Sequence, residues 1–254
     1  MLFEEERKRS IVQYVEKHTR GSVQELSRQL GVSESTVRRD LKELEEARLL
    51  KRTHGGAVSL QSVSFEAAVS DKEEHFSEEK LRIAREAVRL IDEGDAILLD
   101  GGTTTLQIAR ELKQFSNLKI ITNSIMALNE LKDCRNLEVS ITGGMLRPDT
   151  MAFVGPMTER SLEMVRVDKA FLGTNGLDLY EGITTPNMLE AATKRKMISV
   201  AKQAILVADH SKIGQVSFAK VADLQEIDHY ILDTDTPERF IQELQRMDID
   251  HTLA

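Results

Sequence analysis

Apolar residues recur at helical spacing along the first sixty positions. Ile11, Val12 and Val15 share one face of a segment from about Glu4 to Thr19 that is charged elsewhere, which predicts an amphipathic helix. Val23, Leu26 and Leu30 define a shorter second helix that stops at Gly31, the residue best suited to a left-handed C′ position. Ser33 then offers an N-cap, Glu34 suits the positive end of the helix dipole, and Val37, Leu41 and Leu44 form a third apolar stripe. Leu49 to Val58 reads as strand, Gly-Gly turn and strand. From residue 81 the pattern changes to strand-length apolar runs at 96–100, 119–122, 137–142, 169–173 and 204–209. Helix-like stretches at 105–112, 125–131 and 189–201 lie between several of them. This alternation predicts an α/β domain with a largely parallel sheet covered by helices, where ligands bind outside the carboxyl ends of the strands. Residues 59–80 are polar and lack a clear period, so the expected organisation is 1–58, a linker at 59–80, and 81–254.

Composition narrows the classes. No apolar run reaches the ~18 to 20 residues of a membrane span, and Met1 to Glu6 lacks the basic and apolar regions of a signal peptide. The lone Cys134 excludes an internal disulfide and any multi-cysteine metal site, which fits a reducing cytoplasm. Six scattered His show no paired ligand spacing, so neither a metal nor a cofactor is expected. The formal charge of -8 argues at first against nucleic acid. Residues 1–60, however, carry a net +2 and the remainder -10.

The basic part has a form suited to duplex DNA. A helix, a Gly-containing turn and a second helix make a helix-turn-helix. A recognition helix contacts base edges from its N-terminal part, where this one presents Ser33, Ser35, Thr36, Arg38 and Arg39. Arginine can fork onto guanine, and short hydroxyls suit phosphates. A capped surface helix with its arginines paired to Asp40 and Glu43 is the plainer alternative. The strand-turn-strand that follows reads as a wing carrying Lys51, Arg52, His54, Gly55 and Gly56. An aromatic content of only 4% argues against single-stranded partners, which are commonly held by stacking.

In the second part, chemistry gathers at the predicted strand ends. Asp100-Gly101-Gly102-Thr103-Thr104-Thr105 is a Gly-rich turn opening a helix, and such a turn exposes N–H groups and the positive dipole end to a phosphate. A tight connection with an N-cap is the alternative. Asn123 and Ser124, Gly143 and Gly144, Asn175, and Asp209, Ser211 and Lys212 follow other strands. Their hydroxyls and amides suit a polyhydroxylated sugar, Lys212 could neutralise a phosphate, and Arg147 is a second possible cation. Glu190 and Lys194 stand one helical turn apart, and an ordinary i,i+4 pair is their plainer reading.

Ser33-Glu-Ser-Thr-Val-Arg-Arg-Asp-Leu-Lys-Glu-Leu-Glu45 followed by Lys51-Arg-Thr-His-Gly-Gly-Ala57 resembles the DeoR family of bacterial transcriptional regulators. The likeness continues through Asp100–Thr105, Thr122–Ser124, Thr142–Gly144, Val167–Gly173, Thr184–Ala192 and Asp209–Gly214. It implies a winged helix-turn-helix followed by a sensor domain similar to ribose-5-phosphate isomerase, with a sugar phosphate at the strand ends altering affinity for operator DNA. The implied protein is a repressor of a carbohydrate-utilisation operon, a homo-oligomer whose two-fold dimer would set recognition helices ~34 Å apart. Fructose 1-phosphate is the effector expected from general similarity to fructose-operon repressors of Gram-positive bacteria. One departure is Ala67-Ala68-Val69-Ser70, where members commonly carry an Arg after Ser-Phe-Glu. The alternative function is a sugar-phosphate isomerase or deaminase with an attached DNA-binding module, with Glu190 or Asp209 as base.

Overall fold

The computed structural model describes residues 4–18, 20–47, 49–58 and 69–254. The chain divides into two compact units, Met1–Ala67 and Ala68–Ala254. In the first, helices α1 (Glu4–His18), α2 (Val23–Leu30) and α3 (Glu34–Glu46) accompany strands β1 (Arg20–Ser22), β2 (Lys51–Thr53) and β3 (Gly56–Val58). The expected stripes supply the core: Ile11, Val15, Val23, Leu26, Val37, Leu41 and Leu44 are buried together, with Val12 and Leu30 packed against them. Gly31 ends α2 at φ 64°, and Ser33 Oγ caps α3 by accepting from Thr36 N at 3.2 Å. Ser33→Ala is therefore expected to cost this unit ~1 kcal/mol in denaturant unfolding.

The wing differs from expectation in two ways. Its turn is His54–Gly55, and a third strand joins it, giving the antiparallel order β1-β3-β2. Gly56, expected among the DNA contacts, is buried; a Cβ there would stand 2.1 Å from the Gly21 carbonyl oxygen. Its role is a close approach between β3 and β1.

The second unit opens with α4 (Val69–Glu74) and α5 (Ser77–Arg89). Residues 69–74 and 77–80, expected as linker, are thus helical, because Lys80, Ile83, Ala84, Ala87 and Val88 give α5 a buried face. Residues 59–68, which include Ala67 and Ala68 of the departure from the family pattern, lie outside the described residues.

Strands β4 (Ala96–Leu99), β5 (Leu118–Thr122), β6 (Leu137–Ile141), β9 (Val167–Leu172), β12 (Ala201–Ala208), β14 (His229–Leu232) and β15 (Asp250–Leu253) form a seven-stranded sheet in the order β15-β14-β12-β9-β4-β5-β6. Every pairing in it is parallel. Alternate residues divide the core between its faces. Ile97, Leu99, Phe171, Ile205 and Val207 pack under α5, α6 (Thr103–Glu111) and α7 (Ile125–Leu131). Leu98, Ala170, Leu172 and Leu206 pack under α8 (Pro156–Glu163), α9 (Met188–Val200) and α10 (Glu238–Arg246). Short strands complete the unit: the hairpin β7 (Met145–Arg147) and β8 (Ala152–Val154), and the antiparallel trio β10 (Gly176–Asp178), β11 (Gly182–Thr185) and β13 (Ala219–Ala222). Among the described residues no helix is long and apolar enough to cross a membrane.

Candidate functional site

The N-terminal unit holds α3 rigidly by its inner face. Asp40, fully buried, accepts from both Arg7 Nε and Arg7 Nη2, the latter at 2.9 Å, which ties α3 to α1. Glu43 pairs with Lys8 of the same helix α1. The two acids offered as partners for the recognition-helix arginines are therefore used elsewhere. Arg38 meets only Glu34, at 3.4 Å on the surface, and Arg39 is exposed without an ion pair among the described residues. Exposed pairs of this kind contribute ~0.3–0.5 kcal/mol, so Arg38 is easily redirected. Ser33, Ser35 and Thr36 join hydroxyls at the start of α3, with Ser33 Oγ 2.8 Å from Ser35 Oγ and 2.9 Å from Thr36 Oγ1. Lys51, Arg52, His54 and Gly55 are exposed on the wing, and Glu45 braces it by accepting from Arg52 N at 2.8 Å.

In the second unit the sheet order reverses between β4 and β9: the chain runs outward from β4 through β5 and β6 on one side, and from β9 on the other. Asp100 and Gly173 lie at the carboxyl ends of these strands, at the crevice where such sheets take ligands. Asp100 is buried and pairs with Lys194 of α9. Gly173 N donates to Asp100 Oδ2 at 3.1 Å, and Lys194 donates to the Gly173 carbonyl at 2.9 Å, closing a three-part lock. Glu190 and Lys194 consequently do not pair with each other. Arg147 Nη1 lies 2.7 Å from Glu190 Oε1, Thr185 donates to Glu190 Oε2 at 2.9 Å, and Thr185 Oγ1 is 3.2 Å from Asn175 Oδ1. Arg147 thus links β7 to α9.

The Gly-rich turn is shaped by β8. A Cβ on Gly101 would lie 2.5 Å from the Ala152 Cβ, so the turn can pass under the hairpin only as glycine. Gly102 starts α6 in extended backbone, and no side chain caps that helix. Thr103 and Thr104 line its first turn, whereas Thr105 is wholly buried and donates to the Asp100 carbonyl at 2.7 Å. Thr105 is therefore a staple within the turn. Ser124 is likewise engaged, accepting from Ala127 N at 3.2 Å to cap α7. Asn123 donates to the Phe153 carbonyl at 2.9 Å, but its buried Oδ1 has no hydrogen-bond partner. Gly143 and Gly144 form a half-buried turn fastened by Thr158, which donates to the Gly143 carbonyl at 2.7 Å.

Asp209 directly follows β12 and has no exposed surface. Its Oδ1 accepts from Ser211 N at 3.1 Å and from the Ser211 hydroxyl, and its Oδ2 has no partner. Burial opposes its ionisation, but Lys212, Ser211 and Lys80 outweigh burial and hold the carboxyl below its ordinary value. Lys212 is half-buried beside it.

Sequence reasoning passed over Arg7, Lys80, His210, Asp233 and Asp235, and it did not foresee two long-range pairs. Arg7 and Asp40 meet across 33 positions and Lys194 and Asp100 across 94, which no local pattern reveals. Lys80 did leave a signal, a charge on the same helical face as Ile83, Ala84 and Ala87. His210, Asp233 and Asp235 bring three possible ligand atoms within 4.8 Å of one another. Both Asp233 oxygens, however, already serve His210, through its N at 3.1 Å and Nδ1 at 2.7 Å.

Residues 7–63 match the DeoR-like helix-turn-helix domain, and residues 75–234 match the DeoR C terminal sensor domain. The chain is 45% identical over 228 residues to the HTH-type transcriptional regulator GlpR of Haloferax volcanii, covering 90% of this chain and 89% of that protein. It is 39% identical to the uncharacterized HTH-type transcriptional regulator FruR of Bacillus subtilis, covering 92% of both. It is 35% identical to the putative aga operon transcriptional repressor of Escherichia coli O157:H7, covering 98% and 93%. Among solved structures, ribose 5-phosphate isomerase A of Methanocaldococcus jannaschii overlays 54% of each chain at 20% identity and a TM-score of 0.40. Relatives over the whole length are named as regulators and repressors, so the reading as an isomerase or deaminase falls. The chain belongs to the DeoR family of helix-turn-helix transcriptional regulators.

Proposed function

We propose that the chain represses a carbohydrate-utilisation operon by binding duplex operator DNA through α3 and the wing, and that a phosphorylated sugar relieves the repression. The observation that carries the effector half of this reading is the uncapped N-terminus of α6 at the β4–β9 reversal, beside an Asn123 oxygen that lacks a donor. Helix N–H groups and the dipole favour a phosphate there. Asn123 Oδ1 is an acceptor for sugar hydroxyls, and Lys212 is a compact charge for the phosphate. Fructose 1-phosphate is the effector we assign first, from general similarity to fructose-operon repressors of Gram-positive bacteria. Relief requires that the sugar phosphate bind the operator-competent and incompetent arrangements with different affinity.

Thermal unfolding against fructose 1-phosphate, glucose 6-phosphate and glycerol 3-phosphate tests the site. A ligand at ~100 times its Kd stabilises by about 2.7 kcal/mol, which is readable as a rise in Tm. In Lys212→Ala the same rise should need at least about tenfold more ligand, given the ~1.5–3 kcal/mol of a hydrogen bond to a charged group. No response of the wild-type protein to any of the three at millimolar concentration would remove the assignment.

A further inference from the structure

We propose that Lys80 is a two-position latch between the strand-end site and α4. Its ammonium either holds the main-chain carbonyls of Lys72 and His75, as in this structure, or turns to the unpartnered Oδ2 of Asp209 and lets α4 go. The inference rests on the reading of the strand ends as the effector site.

Helix α4 is the first described element after residues 59–68, which connect it to the wing in sequence. Six residues are too few to hold a helix by their own propensity. Its moorings are Val69 N to the Asp149 carbonyl at 2.8 Å, Glu73 to Arg110 of α6 at 2.8 Å, and Lys80 at its far end. Between α4 and α5, Phe76 adopts φ 56°, in the left-handed region. A bulky side chain stays there only where its surroundings over-determine it. Lys80 supplies that constraint through the His75 carbonyl, and the Phe76 ring meets His210 edge-on at 4.9 Å. His210 directly follows Asp209, and α5 lies against β12, the strand that leads into Asp209.

Lys80 is buried on the same face of α5 as Ile83, Ala84 and Ala87, and Asp209 has no exposed surface. Burial pulls the Lys80 ammonium below the usual lysine value, while the Asp209 carboxylate pulls it back up. Lys212 and Lys80 are the two cations that offset the charge of Asp209. A phosphate that engages Lys212 takes one of them away. A buried carboxylate left short of positive charge is strongly unfavourable, so Lys80 turns to it. The carbonyls at 72 and 75 then lose their donor, the constraint on Phe76 lapses, and α4 loosens.

Hydrogen exchange on the full chain without ligand tests the latch. In Lys80→Met, which keeps length and removes the charge, amides 69–76 should exchange about tenfold faster while α6 and β12 keep their protection. The operator Kd should rise by about tenfold. Wild-type protection at 69–76, or loosening there with operator affinity untouched, would overturn the proposal. Asp209→Asn guards against a Lys80→Met chain that fails to fold. It removes the competing carboxylate, so 69–76 should exchange no faster than in the wild type, and loosening there would equally overturn the latch. Adding fructose 1-phosphate to the wild-type protein should accelerate 69–76. A Tm rise without that acceleration would sink the latch and leave the effector reading standing. Absence of any Tm rise would count against the effector reading alone, with the ligand-free variants still deciding the latch.

Discussion

Arg39→Ala is expected to weaken operator binding by about 10- to 100-fold at fixed salt, the loss that corresponds to the ~1–3 kcal/mol of a bidentate arginine–guanine pair. The residue is exposed on α3 without an ion pair among the described residues, while Asp40 beside it is turned inward and held by Arg7. Arg38→Ala should follow it, because the 3.4 Å surface contact with Glu34 holds Arg38 only weakly. Gel-shift titrations on operator and on scrambled duplex separate the two kinds of contact. A base-reading arginine relaxes sequence preference when removed; a phosphate-binding one weakens both duplexes and lowers the salt slope by about one. Wild-type affinity in both variants would take the exposed face of α3 out of the interface.

Lys194→Met is expected to destabilise the second unit by ~3–5 kcal/mol, because it strands a buried carboxylate. Asp100 and Lys194 are both almost wholly buried, and after the substitution Asp100 Oδ2 keeps only the Gly173 N–H at 3.1 Å. Urea unfolding of the full chain measures the loss. Adding Asp100→Asn should recover a large share of it, since a neutral amide no longer needs the ammonium, and the deficit of the double variant should fall well short of the two single deficits together. A single variant within ~1 kcal/mol of the wild type would show that the pair is not a lock.

What was legible in the sequence is what local periodicity records. The stripes of α1, α2 and α3, the cap at Ser33 and the strands β4, β5, β6, β9 and β12 follow from spacing that one segment carries by itself. Strand β1, three residues long, carries too short a pattern to register, and its pairing with β3 explains why Gly56 is buried. Sequence also cannot say whether a hydroxyl is free or already engaged. Thr105, Ser124 and Ser211 all resembled ligand donors, yet each is tied to nearby main chain or to Asp209. The Glu190–Lys194 spacing suggested a pair, and partners brought from β7 and β4 drew the two apart.

The parallel pairing of β4 with β9 has a consequence for synthesis. Strand β4 is the first of the large sheet to leave the ribosome, but it occupies an interior position and its neighbour β9 lies about seventy residues further on, with Ala96 N bonded to Asp168 across 72 positions. Until β9 emerges, a nascent chain can pair only β4, β5 and β6 of the large sheet, leaving the apolar edge of β4 open. Such edges template wrong partners. The interval between translating β6 and β9 is thus when this protein is most exposed to aggregation, and a chain truncated after Ile141 would remain in that state.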